Sequence, residues 1–136
     1  MKSVYIAGRL WNDNDRIILE EIDAICKKLG IKTFLPHRDV GLFKTGMNSK
    51  LFFEKDRDMI DECDFMIAVL DWKGIGSGTA WEIGYAHAKD RHVIGFVEDL
   101  ESVNRDDRVC VMCLNSVKLV GDLKDLEKEI KKILIQ

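Results

Sequence analysis

The sequence is short of the features that would place it in several common classes. It has one proline, Pro36, in 136 residues, and no proline-rich linker or low-complexity tract divides it. No apolar run approaches the roughly 18 residues that a membrane helix needs. The amino-terminal MKSVYIAGRL lacks a signal-peptide hydrophobic region with a cleavage site. A cytoplasmic location without a membrane partner is the expectation. An excess of one charge is missing too: 21 Lys and Arg stand against 24 Asp and Glu, net −3. The basic residues are scattered among acids rather than gathered into a stripe, which argues against polymeric nucleic acid as a partner. Nor is there a disulfide framework. Cys26 and Cys63 fall on the apolar faces of predicted helices and read as small core residues in a reducing compartment. Cys110-Val-Met-Cys113 has zinc-knuckle spacing, but no second CxxC or paired His completes four ligands, so no metal is expected.

What is present is alternation. Hydrophobic residues make up 46% and charged residues 33% of the chain, the balance of a single globular domain spanning residues 1–136. SVYIAG reads as a strand, and NDNDRIILEEIDAICKKLG follows as an amphipathic helix with Gly30 as its stop. The unit recurs in IKTFLP then NSKLFFEKDRDMIDEC, in DFMIAVLD then TAWEIGYAHAKD, and in HVIGFVE then a segment around Val109–Leu114. It closes with VKLVG before DLKDLEKEIKKIL, where Asp122 can cap the last helix. Strands alternating with helices imply right-handed crossovers. The expected fold is α/β: a Rossmann-like or flavodoxin-like domain with a central five-stranded parallel sheet and helices on both faces.

In such sheets ligands bind beyond the carboxyl ends of the strands, where strand order reverses. This rule gathers Gly8, Arg9, Pro36, His37, the stretch Asp71 to Thr79 with Gly76, Ser77 and Gly78, and Glu82 at one crevice. GSGTAWEIGYAHA, residues 76–88, is the segment to explain: small residues run straight into a helix bearing a single acid. Thr79 could cap that helix, placing Glu82 at about its third residue, where free N–H groups and the helix dipole favour the ionised form. Asp56 lies about two turns before the end of the preceding helix and could converge on the same crevice; spacing alone favours a surface acid of the run EKDRD over a catalyst. One ionised carboxylate and one with a raised pKa form the nucleophile and acid pair of glycosidic cleavage. Trp72, in the loop after the third strand, is the candidate platform for a flat ring, whereas Trp81 reads as packed on the sheet. His37 could touch a ligand or be a plain loop residue; His87 and His92 read as structural.

Three stretches, VYIAGRL, FFEKDRDMIDECDFMIAVLD and SGTAWEIGYAHAKDRHVIGF, together resemble the nucleoside 2-deoxyribosyltransferase family, which includes the 2'-deoxynucleoside 5'-monophosphate N-hydrolases. The resemblance implies that Glu82 is the nucleophile, that Asp56 is the general acid or base-contacting Asp, and that Tyr5 orients the nucleophile. It also implies a homodimer or larger homo-oligomer, in which Cys110, two residues before Met112, completes a neighbour's sugar site. Neither metal nor cofactor is implied. The chain departs from many transferases at Gly76, where they carry a base-reading Asp, and from the monophosphate hydrolases at Arg9, where they carry Ser. Arg9, Lys73 and Ser77 could hold a phosphate. The expected function is cleavage of the N-glycosidic bond of 2'-deoxyribonucleosides through a glycosyl-Glu intermediate, with transfer of deoxyribose to another nucleobase. Hydrolysis of nucleoside 5'-monophosphates is the alternative within the family, and a non-catalytic nucleotide-binding module is the alternative outside it.

Overall fold

The computed structural model describes residues 1–70, 75–104 and 110–136, apart from the side chains of Ser102 and Asn104. Five strands, β1 (Ser3–Ala7), β2 (Lys32–Phe34), β3 (Phe65–Val69), β4 (His92–Phe96) and β5 (Lys118–Val120), alternate with helices. These are α1 (Asp13–Lys28), the single turn α2 (Pro36–Asp39), α3 (Ser49–Glu62), α4 (Ser77–Ala88), α5 (Val111–Asn115) and α6 (Leu123–Leu134); a 3-10 turn covers Leu100–Asn104. All strand pairs are parallel, in the order β2-β1-β3-β4-β5. The expected five-stranded parallel sheet is therefore present, and strand order reverses between β1 and β3. Among the described residues, no helix is long and apolar enough to cross a membrane.

Side chains of a strand alternate between its faces, and this divides the core in two. Val4 and Ile6 of β1 join Phe65 and Ile67 of β3 beneath α1 and α6, with Leu19, Ile22, Leu126 and Ile130. Tyr5 and Ala7, with Met66 and Ala68, face the other way, against Ile60 of α3 and Ile83 and Ala86 of α4. The register Tyr5 to Met66 and Ala7 to Ala68 aligns the two central strands at that face. Tyr5 thus points to the side of the sheet that α3 and α4 cover, which is the fact that positions the site.

Asn12 caps α1, Asn48 caps α3 and Asp122 caps α6, each by accepting a backbone N–H. α2 was not legible as a helix; Pro36 starts it at a first-turn position, where the missing N–H is harmless. α2 is tied to α1 by two side chains. Arg38 donates twice to the buried Asp23 carboxylate, at 3.1 Å each, and His37 Nε2 lies 3.1 Å from Glu20.

Candidate active site

β1 and α4 meet at one interaction. The Tyr5 hydroxyl donates a hydrogen bond to the Glu82 carboxyl, while the ring stacks on Phe34 at 5.3 Å between centroids. Tyr5 is fully buried. Burial, and then the charge of Glu82, raise its phenol well above the ordinary value, so it stays a donor. Glu82 is half-buried: the residue borders an open cleft while its carboxyl end turns inward to Tyr5. Burial lifts that carboxyl from 4.5 to about 8; the Tyr5 hydrogen bond opposes the shift and the Asp56 charge adds to it.

The helix therefore does not do what its sequence suggested. α4 begins at Ser77 with Gly76 in the cap position and no side-chain cap, two residues before Thr79. Glu82 is its sixth residue, beyond the first turn in which free N–H groups act, and desolvation prevails over the dipole. Gly76 has an ordinary φ of −61°, but a Cβ there would meet the Arg9 side chain at 3.2 Å, so this glycine lets Arg9 pack closely; a Cβ on Gly78 would meet nothing within 4 Å.

Asp56 of α3 borders the same cleft. Its Oδ1 is buried without a hydrogen-bond partner among the described residues, and desolvation lifts the carboxyl from 3.8 to about 6. Buried acceptors are nearly always satisfied, so an open oxygen in a cleft marks a place for a ligand's donor. The cleft has a volume of about 830 Å³, within the range of small-molecule sites. Gly8, Arg9, Gly76, Ser77 and Gly78 line it together with Asp56 and Glu82.

The other expectations divide. His37 does not line the cleft, because α2 turns it toward Glu20 on α1. Arg9 reaches the cleft with a guanidinium already engaged by Asp15 at 3.0 Å and stacked over Trp11 at 4.7 Å. Cys110 and Met112 border no part of their own chain's cleft; Met112 is 77% exposed on α5. Asp71, Trp72 and Lys73 lie outside the described residues.

The aromatic walls were largely missed. Trp81, expected against the sheet, is instead 46% exposed at the cleft. It stacks on Tyr85 at 5.1 Å and meets the edge of Phe53 at 5.3 Å. Trp11 stands at the same cleft and Phe43 joins it from a loop. Gly41 and Gly46, at φ of +111° and +95°, bracket that loop, and Phe43 is braced edge-on against Phe52 of α3 at 5.6 Å. Spacing i, i+4 of Trp81 and Tyr85, with exposed Phe53 one helix away, was the available signal. Among the described residues, four cations, Arg9, Arg16, Lys44 and Arg57, also border the cleft.

Comparison with known proteins places the chain by family and by fold. The family model described as nucleoside 2-deoxyribosyltransferase matches residues 4–127. An uncharacterized protein of Schizosaccharomyces pombe is 32% identical over 105 residues, covering 71% of this chain and 50% of that protein; the chain spans about half the length of this curated relative. Among solved structures, a conserved protein from Enterococcus faecalis V583 superposes with a TM-score of 0.77 at 24% identity, over 97% of this chain and 98% of its own. The 2-deoxyribosyltransferase from Bacillus psychrosaccharolyticus gives 0.74 at 19% identity, over 92% and 90%. A CMP N-glycosidase of Clostridium botulinum gives 0.62 at 19%, over 96% and 98%. At these identities the structural likeness is one of fold.

The raised Glu82 pKa predicts a pH-dependent stability. The unfolded chain releases this proton near 4.5 and the folded chain near 8, so the folded state holds it more tightly. The group's contribution to stability is full below about 4.5 and is lost as pH rises through about 8. Glu82→Gln, which cannot ionise, should exceed the wild type in urea stability by more at pH 9 than at pH 5. An equal difference at both pH values, or a larger one in acid, would refute the burial of this carboxyl.

Proposed function

The chain belongs to the nucleoside 2-deoxyribosyltransferase family, and on that premise we propose that it breaks the N-glycosidic bond of 2'-deoxyribonucleosides and passes the deoxyribosyl group to another nucleobase. The observation that carries this reading is the convergence of Tyr5, Glu82 and Asp56: a phenol donating to one carboxyl, with a second carboxyl close enough to oppose its charge. A pure nucleotide binder gains nothing from two desolvated acids beside a sugar.

The steps balance on these groups. A Glu82 carboxylate oxygen bonds to the anomeric carbon as the carbon–nitrogen bond breaks; the electron pair leaves with the base, which takes a proton from Asp56. The deoxyribosyl cation that develops lacks an electron-withdrawing 2'-hydroxyl, so a carboxylate suffices to stabilise and capture it. In the second half, a ring nitrogen of an acceptor base attacks the same carbon, Asp56 takes the proton back, and Glu82 is released. Tyr5 holds the Glu82 oxygen in line and stabilises its charge. Trp81, Phe53, Trp11 and Phe43 offer faces and edges against which a donor base and then an acceptor base can stack.

Between about pH 6 and about pH 8 the pair carries one proton, which rests on Glu82; the reactive arrangement is the one in which that proton has moved to Asp56 and Glu82 is ionised. Below this window both acids are protonated and the nucleophile is lost; above it both are ionised and the acid is lost. kcat/KM should therefore follow a bell with limbs near those two values. Asp56→Asn should leave a single limb on which activity rises with pH. A wild-type profile that is flat from pH 5 to 9 would exclude the paired assignment.

The second reading is hydrolysis of nucleoside 5'-monophosphates, with water in place of the acceptor base. It is favoured by the four cations that border the cleft against two carboxyls among the described lining residues, since a phosphate pairs well with such groups. Deoxynucleosides and their monophosphates, each incubated with and without an acceptor base, separate the readings by the products they yield. In the same assay Glu82→Gln, which keeps the shape of the side chain, should lose at least about a thousandfold in kcat, ~4 kcal/mol of barrier. A slow 2-fluorinated deoxynucleoside analogue should leave one sugar on the peptide that holds Glu82. Retained activity in Glu82→Gln, or a sugar on another residue, would overturn the nucleophile assignment.

The functional unit in this reading is at least a homodimer with a two-fold interface near residues 105–115, of which 105–109 lie outside the described residues; through it Cys110 and Met112 approach a neighbour's sugar site. The exposure of Val111 and Met112 on α5 supports it. Light scattering should give at least twice the chain mass at assay concentration; a fully active monomer would dismiss it.

A further inference from the structure

Of the four cysteines, two are isolated in the core and two are together. Cys26 and Cys63 are 0% and 3% exposed, and burial pushes their thiols up to about 12 and about 11; such groups are inert. Cys110 and Cys113 differ in three respects. Their sulfurs lie 2.8 Å apart. The Cys113 backbone N–H donates to Cys110 Sγ at 3.3 Å, which holds that sulfur over the first turn of α5. Cys110 is half-buried, next to the exposed Val111 and Met112, whereas Cys113 is buried behind it against the core that α4 shares.

From this pairing we infer that Cys110 and Cys113 form a redox-active dithiol, oxidised to an intramolecular disulfide by a small-molecule disulfide such as oxidised glutathione. The accessible thiol and the sheltered one take different parts. Cys110, as its thiolate, attacks one sulfur of the small disulfide; that S–S bond breaks, one glutathione thiolate leaves, and a mixed disulfide forms on Cys110. Cys113 loses its proton to solvent and attacks the Cys110 sulfur. The mixed disulfide breaks and the second glutathione leaves. Two electrons and two protons have passed from the cysteines to the small disulfide, which becomes two thiols. Burial, and then the Cys110 sulfur, push the Cys113 thiol up to about 12, which suits the resolving partner: it stays protonated until the mixed disulfide is in place. Moving from 2.8 Å to a covalent separation of about 2.05 Å requires less than an ångström of approach, so the folded chain has already assembled the pair.

The inference is scored on thiols, so its failure is distinguishable from failure of the proposed cleft chemistry; it requires that Cys110 stay within reach of a small disulfide at the proposed homodimer seam. The whole protein, reduced and then equilibrated in buffers of graded reduced and oxidised glutathione, is quenched in acid, alkylated after denaturation and digested. The expected result is a peptide spanning residues 110–113 that has lost two hydrogens and takes up no alkylating agent, with Cys26 and Cys63 fully alkylated. Because folding pre-positions the sulfurs, the oxidation equilibrium constant should be at least about tenfold larger in the folded protein than in guanidinium. Cys113→Ser, or Cys113→Ala should the serine variant fail to fold, should instead accumulate a stable glutathione adduct on Cys110. A persistent adduct on wild-type Cys110, no reaction at the pair, or equal constants for the folded and unfolded chains would each overturn the proposal.

Discussion

A phenol in the middle of β1 and a carboxyl on the second turn of α4 each lack a satisfactory environment without the other. Tyr5 is fully buried, and a buried hydroxyl with no acceptor costs about 1–3 kcal/mol. Glu82, turned away from water, has a carboxylate that needs a donor. Their hydrogen bond meets both demands and fixes how far α4 lies from the sheet. The cleft follows from that distance: α4 forms one wall, the loop after β1 forms the floor, and α3 brings Asp56 in from the side.

The same arrangement sets two acids against the rest of the fold. Both carboxyls are lifted above their ordinary range, Glu82 to about 8 and Asp56 to about 6, and one oxygen of Asp56 has no partner among the described residues. A fold selected only for stability would exchange them for apolar side chains of similar volume. Phe53 and Trp81 have the same character, because they leave large apolar surface at the cleft rather than in the core, with Tyr85 stacked behind Trp81. The dithiol on α5 lies on a helix that borders no part of its own chain's cleft, and in the proposed homodimer it would face the neighbour's.

Much of this could be read from residue order, because strand and helix periods are local properties. The five strands were each identifiable, SVYIAG among them as a short apolar run, and the switch-point rule collected Glu82 with Gly8, Arg9 and the 76–78 turn. Asp56 was reachable by counting helical turns. What could not be read depends on directions and distances between elements. His37 stands beside Pro36 in the chain, yet a single turn of α2 aims it at Glu20. Trp81 has the composition of a core residue, and only the separation of α3 from α4 leaves it half in solvent. The start of α4 lies three residues earlier than expected, with Gly76 rather than Thr79 in the cap position, because Ser77 and Gly78 enter the helix without a side-chain cap, and that small shift takes Glu82 out of reach of the free N–H groups. The ionisation state of the site was thus the least legible property, since it rests on desolvation rather than on spacing.

The loop bracketed by Gly41 and Gly46 carries Leu42, Phe43 and Lys44 to the cleft, and none of the three belongs to either core cluster. The rim of the cleft and the chemistry beneath it are therefore encoded in separate stretches of chain, one tolerant of change and the other rigidly packed. Lineages descended from such a chain can lengthen, shorten or recharge the rim without disturbing β1 or α4, so the ligands admitted can diversify while the buried phenol and carboxyl remain as they are.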